Sequence, residues 1–329
     1  MIILSLISSG KKNGSGHIGR TLPLINFIKK KWNKKKYIIL SNSSDFKIPI
    51  EREKINFEKV NFSNTGPLLK KIESLNPSFI ILDSYELGYA FRKKLYSKYK
   101  NIFVIDDHPK RKQFCKYYLN YNFFSSVNLK KIKRKISAKK YMLGHKYFLS
   151  NFKKKNITQK NNVLIFFGST DKDKIIPKIL KILKSRKFLK FKFYIITGKY
   201  FFIDKKRFKK NKNFIFKETL SKSNYFNLLK KMKFAIGAGG VSMIERILLK
   251  ITNLIFITAD NQKFGVKLAK QKKLIRYAGN SSSIKLNKIK EHLENFLNKK
   301  THDKLKNNLN KLNSSNGFLN VFKKIKYEK

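Results

Sequence analysis

The sequence predicts an α/β protein made of two Rossmann-like, doubly wound domains that face one another across a cleft. Three observations lead there. Short apolar runs of strand length alternate with amphipathic stretches of helix length along the 329-residue chain. Glycine-rich turns follow two of those runs, at 14–20 and 237–242. A polar segment without apolar periodicity, 151–162, separates two such series, so residues 1–155 and 156–329 read as the two domains.

In the first series, residues 1–7 have the length of a buried parallel strand, and Leu22, Ile25, Ile28 and Trp32 recur at helical spacing behind the first glycine turn. Residues 37–40 form the next strand. Leu68, Leu69, Ile72 and Leu75 mark a helix that stops near Pro77. Strands at 79–82 and 102–105 end in Asp83 and in Asp106, Asp107 and His108. In the second series, residues 163–167 enter Gly168-Ser169-Thr170-Asp171, a helix covers 173–183, and strands lie at 191–197 and 214–216. A helix at 225–232 precedes strand 234–236 and the second glycine turn; strand 254–257 then leads to Asp260-Asn261-Gln262 and another helix. Ile289, Leu293, Phe296 and Leu297 close the series on an amphipathic helix, and the Lys- and Asn-rich tail is expected to fray. In open α/β sheets ligands sit outside the carboxyl ends of the strands, where both glycine turns fall.

The formal net charge of +58 suits a nucleic-acid or anionic-membrane partner at first sight. The make-up of that charge argues otherwise. Of the 77 basic residues 9 are Arg and 68 are Lys, and Lys, Asn, Ile, Phe and Tyr share AT-rich codons. The basic residues are also scattered in twos and threes, whereas a nucleic-acid face concentrates them and favours Arg. No specific nucleic-acid partner is expected. A single cysteine, Cys115, rules out an internal disulfide, and no run approaches the ~18 apolar residues of a membrane span. Residues 1–7 lack the basic flank and length of a signal peptide, so a cytoplasmic location is expected.

The first glycine turn, Gly14-Ser15-Gly16-His17-Ile18-Gly19-Arg20, satisfies G-x-G-x-x-G but fits a dinucleotide site poorly. Residues 8–13 intervene between strand and glycine, and the next acid, Asp45, comes later than the ~20 residues expected. No Lys-Ser or Lys-Thr pair ends either turn, which excludes a Walker loop. The turn therefore reads as a holder for His17, whose side-chain type titrates near neutrality and suits a general base exposed to the cleft. Asp83, Asp106 and Asp107 end strands on the same rim, where an acid orients a histidine, binds a hydroxyl or caps the next helix. Gly237-Ala238-Gly239-Gly240-Val241-Ser242 follows a strand and opens a helix, the geometry of a phosphate cradle. Glu245, one turn later, can accept ribose hydroxyls. His145 lies near the domain junction, while His292 and His302 read as surface residues. No Cys/His spacing or acid cluster calls for a metal, and no cofactor is expected.

These motifs, in this order, resemble the nucleotide-sugar hydrolases of pseudaminic acid biosynthesis, which release UDP from UDP-2,4-diacetamido-2,4,6-trideoxy-β-L-altropyranose. Those enzymes are related to the glycosyltransferase-B group. The resemblance runs to about Leu274 and adds Ile80-Ile81-Leu82-Asp83, Leu119-Asn120-Tyr121-Asn122, Gly144 to Tyr147, and Asp260-Asn261-Gln262. It implies that His17 is catalytic and that the second domain holds UDP. It further implies that Gly16, Arg20, Asp83, Asp107, Gly239, Gly240, Ser242, Glu245, Asn261 and Gln262 line the substrate. Two departures concern the sugar: Leu6 and Ser8 stand where the family carries Arg and Asp, and Ser84 where it often carries His. A UDP-sugar transferase of the same architecture is the alternative, and a basic nucleic-acid or membrane-surface binding protein is the remaining one.

Overall fold

The computed structural model describes residues 1–10, 16–32, 35–107, 112–124, 126–150, 161–168, 171, 173–198, 205–208, 211–218, 220–313 and 316–325. The chain divides into two units, Met1–Asn151 with Ser315–Lys329, and Phe152–Ser314. Residues 14 and 15 of the first glycine turn, His108, Ser169, Thr170 and linker residues 151–160 lie outside the described residues.

The first unit runs β1 (Ile2–Ile7), α1 (Gly16–Lys31), β2 (Lys36–Ser41), α2 (Lys47–Arg52), β3 (Asn56–Lys59), α3 (Thr65–Leu75), β4 (Phe79–Asp83), α4 (Tyr89–Lys98), β5 (Ile102–Ile105), β6 (Phe114–Asn120), α5 (Ser126–Lys135) and β7 (Ser137–Leu143). All neighbouring strands are parallel, in the order β3-β2-β1-β4-β5-β6-β7. Strand β1 is central. Ile3, Leu4, Leu6 and Ile7 are buried on both of its faces, as a parallel strand between two helical layers requires. Strand order reverses between β1 and β4, so the chain leaves these neighbouring strands toward opposite faces and opens a crevice at their carboxyl ends. Strands β3, β6 and β7 add to those expected from apolar runs.

The second unit repeats the plan with β8 (Asn162–Phe166), α6 (Ile175–Leu183), β9 (Lys192–Ile196), β10 (Phe214–Lys217), α7 (Lys222–Leu229), β11 (Phe234–Ala238), α8 (Val241–Leu248), β12 (Thr252–Ile257), α9 (Lys263–Gln271), β13 (Arg276–Asn280), α10 (Leu286–Phe296) and α11 (Lys299–Asn310). Its sheet is parallel in the order β10-β9-β8-β11-β12-β13, with the reversal between β8 and β11. Apolar side chains of β8, β11 and β12 meet Ile179 and Leu180 of α6 and Leu293 and Phe296 of α10 in one core.

The tail departs from expectation. It forms α12 (Gly317–Lys324) and belongs to the first unit, not to the second domain assigned to residues 156–329. Phe318 and Phe322 lie 5.6 and 5.8 Å from Phe27 of α1, and Phe322 also meets Trp32. The backbone N–H of Gly317 donates to the carbonyl of Ser150. A Cβ at Gly317 would stand 1.6 Å from the carbonyl oxygen of Phe148, so only glycine allows this approach. Burial of aromatic faces outweighs the Lys- and Asn-rich composition from which fraying was expected.

Candidate active site

Each unit carries a polar cluster at the reversal point of its sheet. In the first unit α1 starts at Gly16, which is exposed and has no neighbour within 4 Å of a would-be Cβ, and brings His17, Arg20 and Thr21 onto one face. That face meets the end of β4. Asp83 is fully buried; its Oδ1 lies 2.5 Å from His17 Nδ1 and accepts from Arg20 Nη2 at 2.6 Å. Its Oδ2 accepts from Arg20 Nε at 2.8 Å and from Thr21 Oγ1 at 2.6 Å. Burial alone would raise the Asp83 carboxyl, but Arg20 and His17 more than offset it and hold the group well below the usual carboxylate range. An ionised carboxylate only accepts, so the proton of the short contact resides on Nδ1 and the Nε2 lone pair is left for chemistry. Among the described residues Nε2 makes no hydrogen bond.

Arg20 has a second set of partners. Its Nη1 donates to Asp107 Oδ2 at 2.8 Å and to the Tyr121 hydroxyl at 2.6 Å. The other Asp107 oxygen takes the Tyr85 hydroxyl, and the Tyr85 ring stands edge-on to His17 at 4.4 Å. Arg20 of α1, Asp83 and Asp107 at the ends of β4 and β5, and Tyr85 of the β4–α4 loop thus close a ring with the imidazole. Arg92 of α4 fastens that loop: its Nε donates to the Leu87 carbonyl at 2.6 Å, Nη2 to the Ser84 carbonyl at 2.5 Å, and Nη1 to Gln113 Oε1 at 2.5 Å. Ser8 and Ser84, two of the three positions of departure from the resembled family, sit Oγ to Oγ at 2.6 Å.

The second cluster lies where β11 enters α8. Gly237 is held against Phe166 and Arg246; a Cβ there would stand 2.0 Å from the Phe166 carbonyl oxygen. Gly239 has Val266 of α9 at 2.5 Å from a would-be Cβ, so its smallness serves helix packing. Gly240 adopts φ 91° and ψ −155°, a region that is essentially glycine's, with open space where a Cβ would project. No side chain caps α8, so the amides of its first turn, with the Ser242 hydroxyl beside them, are available to an anion. The buried Arg246 binds the Ala238 carbonyl through Nη2 at 2.9 Å and braces the loop from behind. Glu245 is 9% exposed; burial pushes its carboxyl up to about 7, against the pull of Lys222 and Arg246.

No known protein family and no curated protein matches this sequence. Solved structures match over nearly its whole length. Acinetobacter baumannii MurG is 9% identical at a TM-score of 0.67, with 99% of each chain covered. Medicago truncatula UGT71G1, complexed with UDP-glucose, is 11% identical at 0.66, covering 98% of this chain and 97% of its own. The Neisseria meningitidis UDP-GlcNAc 2-epimerase, bound to UDP-GlcNAc, is 12% identical at 0.61, with 99% of each covered. The chain has the glycosyltransferase-B fold.

Within this fold the expected site residues fall into separate groups. His17, Arg20, Asp83 and Asp107 come together, as do Gly239, Gly240, Ser242 and Glu245. His17 is 3% exposed, not open as its glycine-flanked position suggested, because the Tyr85 ring and Asp83 enclose it. Arg20 and Asp83, expected on the substrate, are spent on each other and on their neighbours. Gln262 is locked to Thr258 by two hydrogen bonds of 2.9 and 3.0 Å, whereas Asn261 is exposed. Asp171 accepts from the amides of Ile175 and Ile176 and caps α6. His302 is buried against Phe234 rather than on the surface. Sequence reasoning passed over Tyr85, Arg92, Gln113 and the hydroxyl of Tyr121. For Arg92 a signal existed: arginine persists there in a chain that otherwise uses lysine. Among the described residues no group of His, Cys, Asp and Glu is arranged to hold a metal, and no helix is long and apolar enough to cross a membrane.

Proposed function

We propose that this protein hydrolyses a UDP-sugar, releasing UDP by attack of water on the anomeric carbon. The observation that carries the reading is the buried His17–Asp83 pair, with Nδ1 committed to a carboxylate and Nε2 left as a base. Water oxygen bonds to the anomeric carbon as the bond from that carbon to the UDP oxygen breaks. The water proton passes to Nε2 of His17, and the bonding electrons leave with UDP. The uncapped start of α8 at Gly239, Gly240 and Ser242 takes the charge that develops on the diphosphate, usually the larger share of such catalysis. Glu245 holds the ribose, and Asn261 and Gly16 border the substrate. The UDP and UDP-sugars bound in several matching structures support the nucleotide.

The sugar that the sequence resemblance names is the diacetamido-trideoxyhexose of pseudaminic acid synthesis, whose product supplies flagellin glycosylation or surface polysaccharide. Leu6, Ser8 and Ser84 stand where that family carries Arg, Asp and often His, and the last two present a hydroxyl pair instead, so the identity of the sugar is the part of the resemblance this chain departs from. The test is UDP release from a panel of UDP-sugars without acceptor. Release by the parent protein and its loss in His17→Asn, with UDP affinity within about twofold, is the expected result; a base of this kind contributes ~10²- to 10⁴-fold. Release only when an alcohol acceptor is added would make the protein a transferase of the same fold.

A further inference from the structure

Arg20 entered the sequence reading as a substrate contact, yet its side chain is 3% exposed and its guanidinium is occupied on every edge. We propose that Arg20 is a positioning residue that acts through Asp83: by donating to both carboxylate oxygens it leaves Asp83 able only to accept from His17, which fixes the Nδ1–H tautomer and keeps Nε2 basic.

The geometry argues for this in three steps. Arg20 meets Asp83 side-on through Nε and Nη2, a planar two-point contact that lysine has no means to reproduce. Arg20 Nη2 also stands 3.2 Å from His17 Nδ1, a longer contact than the 2.5 Å from Nδ1 to Asp83 Oδ1, so the Nδ1 proton goes to the carboxylate and the guanidinium forms the wall behind the imidazole. Its opposite edge binds Asp107, which accepts the Tyr85 hydroxyl, and the Tyr85 ring lies against His17. One side chain therefore sets both the proton position and the ring orientation of the base. The charged and titratable groups facing Asp83 are His17 and Arg20 from α1, Tyr85 from the β4–α4 loop, Asp107 beyond β5 and Tyr121 beyond β6; Thr21 adds a hydroxyl. Of these Arg20 is the only permanent cation.

The inference rests on reading His17 as the base, but its test does not depend on turnover alone. Full-length protein labelled with ¹⁵N at histidine ring nitrogens, with His17 assigned by its loss in His17→Asn, reports the tautomer directly. The parent is expected to show protonated Nδ1 and bare Nε2 at pH 7.5. In Arg20→Lys that pure state is lost, kcat falls about 10- to 100-fold, and KM for the UDP-sugar and the Kd of UDP stay within about twofold. Because removing Arg20 alone leaves two buried acids facing each other, the double variant Arg20→Met with Asp83→Asn is compared with Asp83→Asn alone. Acting through Asp83 means the double variant is no slower than the single one, within about twofold. An unchanged tautomer in Arg20→Lys overturns the proposal whatever His17 does for turnover. So does a rise in KM and Kd at constant kcat, which makes Arg20 a substrate contact, or a double variant whose losses multiply. Retained turnover in His17→Asn, by contrast, removes the hydrolase reading while the nitrogen signals still decide the role of Arg20.

Discussion

Glu245 ties the proposed nucleotide site to pH. Its carboxyl sits at about 7 in the folded protein against an ordinary 4.5, because burial disfavours the charged form. The folded state thus holds the proton more tightly than the unfolded one, and stability falls as pH rises from about 4.5 to about 7, then levels off. The full displacement amounts to roughly 3 kcal/mol, of which roughly 2 to 3 falls between pH 5 and pH 8. Glu245→Gln removes the titration. Hydrogen exchange of the β11 amides should show the second unit losing about that much stability from pH 5 to pH 8 in the parent relative to the variant. UDP binding should run the other way. Ribose hydroxyls donate to the ionised carboxylate, so affinity should climb up to tenfold per pH unit below about 7 and then plateau; in Glu245→Gln only the slope from the titrating diphosphate should remain. Parallel stability curves for parent and variant from pH 5 to pH 8 would refute the buried-acid argument.

Two further substitutions test the architecture. Gly240→Ala forces a side chain into φ 91°, ψ −155°, where open space prevents a clash but the backbone conformation is strained; about 1–3 kcal/mol of stability and at least tenfold in UDP affinity should be lost, read by thermal melts and titration. Gly317→Ala should release α12 from the Phe148 carbonyl and cost on the order of 3 kcal/mol in the first unit. Trp32, the one tryptophan of the chain, should then shift its emission to the red as Phe322 departs, while UDP binding is unchanged.

The parts of the fold legible in the sequence are those where burial is two-sided. Strands β1, β4, β8, β11 and β12 are built on apolar runs of at least three residues, since both faces are covered. Strand β3 is four residues at a sheet edge, Asn-Phe-Glu-Lys, with no fully buried position, and β7 alternates around Lys139 and Lys140 at the other edge. An edge strand needs polar residues against unwanted pairing, which erases its apolar signal. The site shows the same division. His17 and Asp83 stood out as a loop histidine and a strand-end acid, but nothing in Asp106-Asp107 tells which acid turns inward; Asp107 takes Arg20, and Asp106 takes the Gln113 amide. Arginine itself was informative in hindsight. Arg20, Arg92 and Arg246 are buried where a planar donor is shared among several acceptors, and lysine, favoured by composition, offers no such plane.

The return of α12 to the first unit makes the second unit an insertion within the first. During synthesis residues 152–314 emerge as one uninterrupted block and hold everything their sheet requires. The first unit, begun earlier, still lacks the helix that covers Phe27 and Trp32 until residues 316–325 follow. The half that starts first on the ribosome is therefore the half that finishes last, and the apolar face of α1 must wait uncovered through the making of more than half the chain.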